Sequence, residues 1–73
     1  MAVFKVLSEV AGMVSEITVA QGQKVQAGDT VVNMESMKMI MPVLAEKAGV
    51  VREILVAEGE AVETGQVLLA LEA

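Results

Sequence analysis

Apolar and polar residues alternate through most of this 73-residue chain, in short runs rich in valine, isoleucine and leucine. A period of two is typical of β-strands that bury one face. The clearest runs cover residues 3–7, 12–19, 48–56 and 67–71, and signals for helices are weak throughout. We therefore expect an all-β fold of about eight short strands, arranged as a flattened antiparallel barrel or sandwich.

Residues 30–44 form a long β-rich run with no glycine and a single proline. This run exceeds the usual strand length of about 3–10 residues, so the chain is expected to turn back inside it. A two-residue turn at Met37 and Lys38 pairs Ser36 with Met39 and sorts the flanking residues onto two faces, which a shift of one residue would mix. The inner face would then carry Val32, Met34, Met41 and Val43. The outer face would carry Asn33, Glu35, Ile40 and Pro42.

The predicted turn has an unusual sequence. Two-residue hairpin turns need positive φ, which favours Asn-Gly or Asp-Gly, whereas Met37 and Lys38 are poorly suited to such angles. An exposed residue that violates turn chemistry is a candidate for function. The simpler alternative is a surface lysine that caps the hairpin and keeps it soluble, and turn chemistry alone does not separate the two.

The chain contains an internal repeat. Shifting the sequence by 37 residues aligns Ala11-Gly12 with Ala48-Gly49 and gives 11 identities over the 25 positions 11–35. Two copies are too few for a solenoid. They suggest two similar half-sheets packed face to face about a pseudo-two-fold axis.

Each repeat contains a Gly-x-x-Val-x-x-Gly segment, at residues 22–28 and 59–65. Glycine permits positive φ at tight turns, and the central Val25 or Val62 is expected to enter the core. A phosphate-binding loop is the sharper alternative. It is disfavoured because neither segment opens a helix or carries the Lys-Ser/Thr of a P-loop.

Composition limits the classes of function. Ten acidic and five basic residues give a net charge of −5, and Phe4 is the sole aromatic residue, which argues against nucleic-acid binding. No apolar run approaches the roughly 18 residues of a membrane-spanning helix, and the chain as given carries no visible export signal. We expect one domain, residues 1–73, without nucleic-acid or membrane partners.

Self-contained catalysis is not expected, because the chain has no His, Cys or Tyr to act as base or nucleophile. A carboxylate metal site at residues 58, 60 and 63 matches no calcium-loop spacing. A copper site on methionine sulfur is disfavoured because two of the four central methionines should face the core. An exposed lysine amine remains, with no neighbouring residue expected to serve as its base. Such an amine can accept a cofactor from an enzyme that activates the cofactor itself. The domain would then serve as a carrier of the attached group.

The segment Glu35-Ser36-Met37-Lys38-Met39 resembles the signature of the biotinyl/lipoyl attachment domains, and among them the biotin carboxyl carrier type, whose usual motif is Glu-Ala-Met-Lys-Met. The resemblance covers nearly the whole chain and implies a flattened eight-stranded barrel with pseudo-two-fold symmetry. Lipoyl domains usually have Asp-Lys-Ala at this point, which favours biotin. Ser36 replaces the commoner Ala, and Ala11 stands where many relatives have Pro. The short loop at residues 20–24 resembles the thumbless members of the family.

The resemblance implies that Lys38 is biotinylated by a biotin protein ligase, which would recognise Met37 and Met39 together with Glu35 and Ser36. It also implies a non-enzymatic carrier that works with a biotin carboxylase and a carboxyltransferase. A symmetric barrel with closed ends is expected to be monomeric. Such a domain would be cytoplasmic, or located in the mitochondrial matrix if it belongs to a eukaryotic carboxylase. Two alternatives stay open: a lipoyl carrier of an acyl-transfer complex, and an interaction domain with an unmodified lysine.

Overall fold

The computed structural model describes residues 2–73, and all regular secondary structure in that range is β-strand. The eight strands are β1 (Val3–Leu7), β2 (Gly12–Ile17), β3 (Lys24–Val25), β4 (Thr30–Ser36), β5 (Met39–Leu44), β6 (Gly49–Ile54), β7 (Ala61–Val62) and β8 (Val67–Glu72). The predicted number of strands is confirmed. The alternating runs at residues 12–19 and 48–56 are longer than the strands they contain.

The strands form two antiparallel sheets of four, in the orders β1-β8-β6-β3 and β5-β4-β2-β7. Adding 37 to the residue numbers of β1 to β4 gives the positions of β5 to β8 to within one residue, so the repeat maps each sheet onto the other. The flattened sandwich with pseudo-two-fold symmetry is therefore confirmed. Within residues 2–73 no helix is long and apolar enough to cross a membrane.

Backbone hydrogen bonds follow the repeat as closely as the strands do. The Gly22 amide donates to the Val51 carbonyl at 2.7 Å, and the Gly59 amide donates to the Val14 carbonyl at the same distance. The glycines of both Gly-x-x-Val-x-x-Gly segments have φ between 85° and 93°. Their central valines are buried. The prediction that these segments are structural turns is confirmed.

Four bulges also obey the repeat. One extra residue lies in β2 between Val14 and Glu16, and another lies in β4 between Thr30 and Val32. The matching irregularities occur in β6 and β8, 37 residues later. A bulge breaks the in-out alternation of side chains. For this reason Val31 and Val32 are both fully buried, although they are neighbours in sequence.

A core of aliphatic side chains lies between the sheets. It contains Val14, Val32, Met34, Val51 and Leu71, each with almost no exposed surface, and further valine and leucine residues. The sole aromatic residue, Phe4, packs only at its margin. The resulting domain measures 36 × 17 × 17 Å, and the hairpin of β4 and β5 belongs to one sheet while the terminal strands β1 and β8 belong to the other.

Candidate functional site

The hairpin of β4 and β5 has the register expected from the sequence. Ser36 pairs with Met39, Met34 with Met41, and the pairing continues on to Val32 opposite Val43. On the inner face Val32 and Met34 are fully buried and Met41 and Val43 are half-buried, whereas Ile40 and Pro42 on the outer face are exposed. The two-residue turn at residues 37 and 38 is thus confirmed as a structural feature.

Both turn residues adopt left-handed backbone angles, with φ of 53° at Met37 and 64° at Lys38. They are the only non-glycine residues with positive φ in the part of the chain that the structure describes. For a residue with a Cβ, this backbone conformation is less favourable by roughly 1–2 kcal/mol. The surrounding strands therefore impose the turn on residues that do not favour it.

The base of the hairpin is held by close packing against β2. Gly12 lies directly beneath the backbone carbonyl of Glu35, and a Cβ at this position would overlap that oxygen and approach the Ser36 Cβ at 3.3 Å. Met13 pairs with Glu35 on one side of β2 and with Ala61 of β7 on the other. The tip therefore extends from a closely packed four-stranded sheet that fixes its position.

Three apolar side chains around the tip are exposed to solvent. The exposed fraction is 92% for Met37, 63% for Met39 and 55% for Ile40. Lys38 between the two methionines is also exposed, while Glu35 and Ser36 at the base are half-buried. The structure thus brings all five predicted site residues together at one end of the hairpin, and their functional roles stay predictions.

The amine of Lys38 has no protein partner among residues 2–73. The one ion pair in that range joins Arg52 to Glu72 at 3.7 Å, and the one cation–π contact places the Lys47 amine 5.5 Å from the centre of the Phe4 ring. An unpaired, exposed amine on a fixed turn can attack an acyl group that another protein presents.

No competing reactive site was found in the described residues. Among residues 2–73 no group of acidic side chains is arranged to hold a metal ion. A groove of about 760 Å³ lies between β1 and β5, lined by residues such as Phe4, Val6 and Val43, and it does not include residues 37–39. The hairpin tip is therefore the candidate functional site.

Sequence reasoning missed two parts of this site. It did not anticipate that Gly12 makes room for the Glu35 carbonyl, or that Ile40 extends the exposed apolar surface of the methionines. The recurrence of Ala-Gly at residues 11–12 and 48–49 was the available signal for the first. Gly49 makes the same approach to the Glu72 carbonyl, at 2.9 Å for an added Cβ.

Comparisons with known proteins agree with this fold. The sequence model of the family described as "Biotin-requiring enzyme", which covers biotin and lipoyl attachment, matches residues 3–71. No match was found among curated proteins.

Two solved structures are similar to this chain over nearly its whole length. A single-chain, multi-domain long-chain acyl-CoA carboxylase is 32% identical with a TM-score of 0.89, over 93% of this chain and 7% of that one. The urea carboxylase of Kluyveromyces lactis is 35% identical with a TM-score of 0.92, over 99% of this chain and 6% of that one. This chain therefore spans less than a tenth of either carboxylase. Since the family model covers nearly all of the sequence, the chain belongs to the biotin/lipoyl attachment family of biotin-requiring enzymes.

Proposed function

We propose that this domain is a biotin carrier, loaded on Lys38 by a biotin protein ligase and serving a biotin-dependent carboxylase. The observation that carries the proposal is the placement of Lys38 at the tip of a two-residue turn with φ of 64°, exposed and between two exposed methionines. The family match and the similarity to two carboxylases support biotin as the attached group.

The residues at the tip fit covalent attachment. The ligase would present biotinyl-adenylate, and the Lys38 nitrogen would attack its acyl carbon, so that an amide bond forms while adenylate leaves with the bonding electrons. The amine gives up its protons to solvent or to a base of the ligase, because the chain has no His, Cys or Tyr for that purpose. The turn itself contributes exposure and a fixed direction of approach.

Recognition by the ligase would use the exposed apolar side chains that flank the lysine. Large exposed apolar residues grouped on a small surface mark interaction sites more often than isolated ones do. Burying Met37 and Met39 against a partner releases their ordered water and contributes roughly 1.5–3 kcal/mol for each side chain that becomes fully buried. The ligase would also contact Glu35 and Ser36 at the base of the turn.

Attached biotin would carry the carboxyl group between a biotin carboxylase and a carboxyltransferase. The chain's own contribution is positional. A long lysine side chain on a protruding turn extends the tether, and the tether raises the effective concentration of the cargo at each docked active site. In this proposal the domain is a monomeric, non-enzymatic carrier of residues 1–73, acting in the cytoplasm or, in a eukaryotic carboxylase, in the mitochondrial matrix.

The test is to incubate the purified chain with a biotin protein ligase, ATP and biotin, and to follow its intact mass. We expect the addition of one biotin to the wild-type chain and none to Lys38→Arg. Lys5→Arg, Lys24→Arg and Lys47→Arg are matched controls, because they change the other lysines by the same substitution, and each should still accept one biotin.

Three results would contradict the proposal. Peptide mapping could place the label on another lysine, which would show that the hairpin tip is not the acceptor. The folded chain could also fail to accept biotin but accept lipoate from a lipoate ligase. The domain would then be a lipoyl carrier of an acyl-transfer complex. Refusal of both groups by a chain with native β-structure would leave an interaction domain with an unmodified lysine.

A further inference from the structure

The described methionines differ sharply in their access to solvent. Met37 is 92% exposed and Met39 is 63% exposed, whereas Met34, in the same hairpin, is fully buried. Met13 on β2 is intermediate, at 42%. Oxidation of methionine by peroxides follows the accessibility of the sulfur atom, so the two residues that flank Lys38 are the most susceptible of these four.

Oxidation at the tip would leave the fold intact. The side chain of Met37 points away from the sandwich and contributes almost nothing to its core, and Met39 lies at the first position of β5 with most of its surface in water. A sulfoxide oxygen at either position is solvated at once. The same change at Met34 would place a polar group between the two sheets, where no water can reach it.

The location makes the change consequential. Oxidation converts a flexible apolar side chain into a polar, chiral one, and it would do so on both sides of the single amine at this turn. Any enzyme that buries the two thioethers in order to reach Lys38 would then have to bury two sulfoxides. Oxidation of these exposed side chains would thus alter the surface that a modifying enzyme contacts.

We propose that Met37 and Met39 are a peroxide-sensitive modification site, and that their reversible conversion to sulfoxides prevents the loading of Lys38. The second half rests on the function proposed above. In the forward step a peroxide transfers one oxygen to sulfur: the O–O bond breaks, the S–O bond forms, sulfur loses two electrons, and the peroxide is reduced to water or an alcohol. In the reverse step a methionine sulfoxide reductase oxidises two thiols to a disulfide, and the oxygen leaves as water.

The first experiment tests the modification without any ligase. The full chain is treated with hydrogen peroxide, samples are quenched with catalase, and peptides are mapped by tandem mass spectrometry. We expect Met37 and Met39 to form sulfoxides at least about tenfold faster than Met34, with Met13 between them. Equal rates at Met34 and Met37, or a faster rate at Met13 than at Met37, would overturn the assignment of the site.

The second experiment tests the effect on loading. Oxidised chain, freed of peroxide before the ligase is added, should accept biotin at an initial rate at least about tenfold lower than untreated chain. Treatment with sulfoxide reductases specific for each of the two epimers should restore the rate. An unchanged rate after complete oxidation of Met37 and Met39, or a loss that reductase does not reverse, would overturn the proposal.

Two variants locate the effect, each compared with its own untreated rate. Met13→Leu removes the third exposed sulfur and should keep the full peroxide-dependent loss. The double variant Met37→Leu/Met39→Leu should show no peroxide-dependent loss, whatever its starting rate. A loss that persists in the double variant would place the effect elsewhere. If untreated wild-type chain accepts no biotin, the proposed function fails together with the loading half, while the mapping result stands separately.

Discussion

Gly12 packs so closely beneath the backbone carbonyl of Glu35 that no side chain can stand between β2 and the base of the lysine hairpin. The carbonyl belongs to β4, three residues before Lys38. Neither a rotamer change nor a flexible neighbour can relieve an overlap with a backbone oxygen. The position of the tip is therefore coupled to a glycine that is remote from it in sequence.

This packing predicts the effect of adding one methyl group. Gly12→Ala should lower the free energy of unfolding by about 1–3 kcal/mol, because the overlap forces β2 and β4 apart. Urea denaturation followed by far-UV circular dichroism measures the change.

The repeat supplies a matched control for that variant. Gly49→Ala introduces the same methyl group beneath the Glu72 carbonyl, at the looser distance of 2.9 Å, so a smaller loss of stability is expected. Only Gly12→Ala should also slow biotin loading, because Glu72 lies on β8, in the sheet that does not contain the hairpin of β4 and β5. Equal loading rates in the two variants would show that Gly12 does not position the tip.

The turn residues are expected to be unfavourable for stability. Replacing Met37 and Lys38 together by Asn-Gly should raise the free energy of unfolding by about 1 kcal/mol, since both new residues tolerate positive φ. Met39→Asn is the control, because Met39 lies in β5, where asparagine is disfavoured. If the Asn-Gly variant were no more stable than wild type, the claim of backbone strain at the tip would be wrong.

The two faces of the hairpin predict opposite results for methionine truncation. Met34→Ala should cost about 2–5 kcal/mol, because it leaves a cavity between the sheets. Met37→Ala removes a side chain that is 92% exposed and should change stability by no more than about 0.5 kcal/mol. Thermal and urea unfolding measure both, and similar losses in the two variants would contradict the register of the hairpin.

Glu60, in the second repeat, is expected to stabilise the domain through a hydrogen bond rather than through its charge. Glu60 accepts a hydrogen bond from the Ala57 amide at 3.1 Å, and Gln23, its counterpart, accepts the equivalent bond from the Ala20 amide at the same distance. Glu60→Gln should therefore preserve stability. Glu60→Ala should lower it by about 1 kcal/mol, as measured by urea denaturation, and an equal loss in both variants would point to the charge instead.

Much of the site could be predicted because it depends on local pattern. The register of β4 and β5 follows from the alternation of side chains over residues 30–44, where a shift of one residue would expose Met34 and bury Glu35. The positive φ of Gly22 and Gly28 follows from the residue type at tight turns. The exposure of Lys38 is a consequence of the register, since a turn residue has no strand partner.

The amino-acid sequence by itself determined the hairpin, its register, the repeat and the lysine at the tip. The alternation of apolar and polar residues and the 37-residue spacing of the repeat can both be read from the order of the residues. Only the tertiary structure decided that β1 pairs with β8, that bulges bury Val31 beside Val32, and that Gly12 lies under Glu35. These features depend on contacts between residues far apart in sequence. Many strand pairings satisfy the same alternation, and the close packing of the two sheets selects among them.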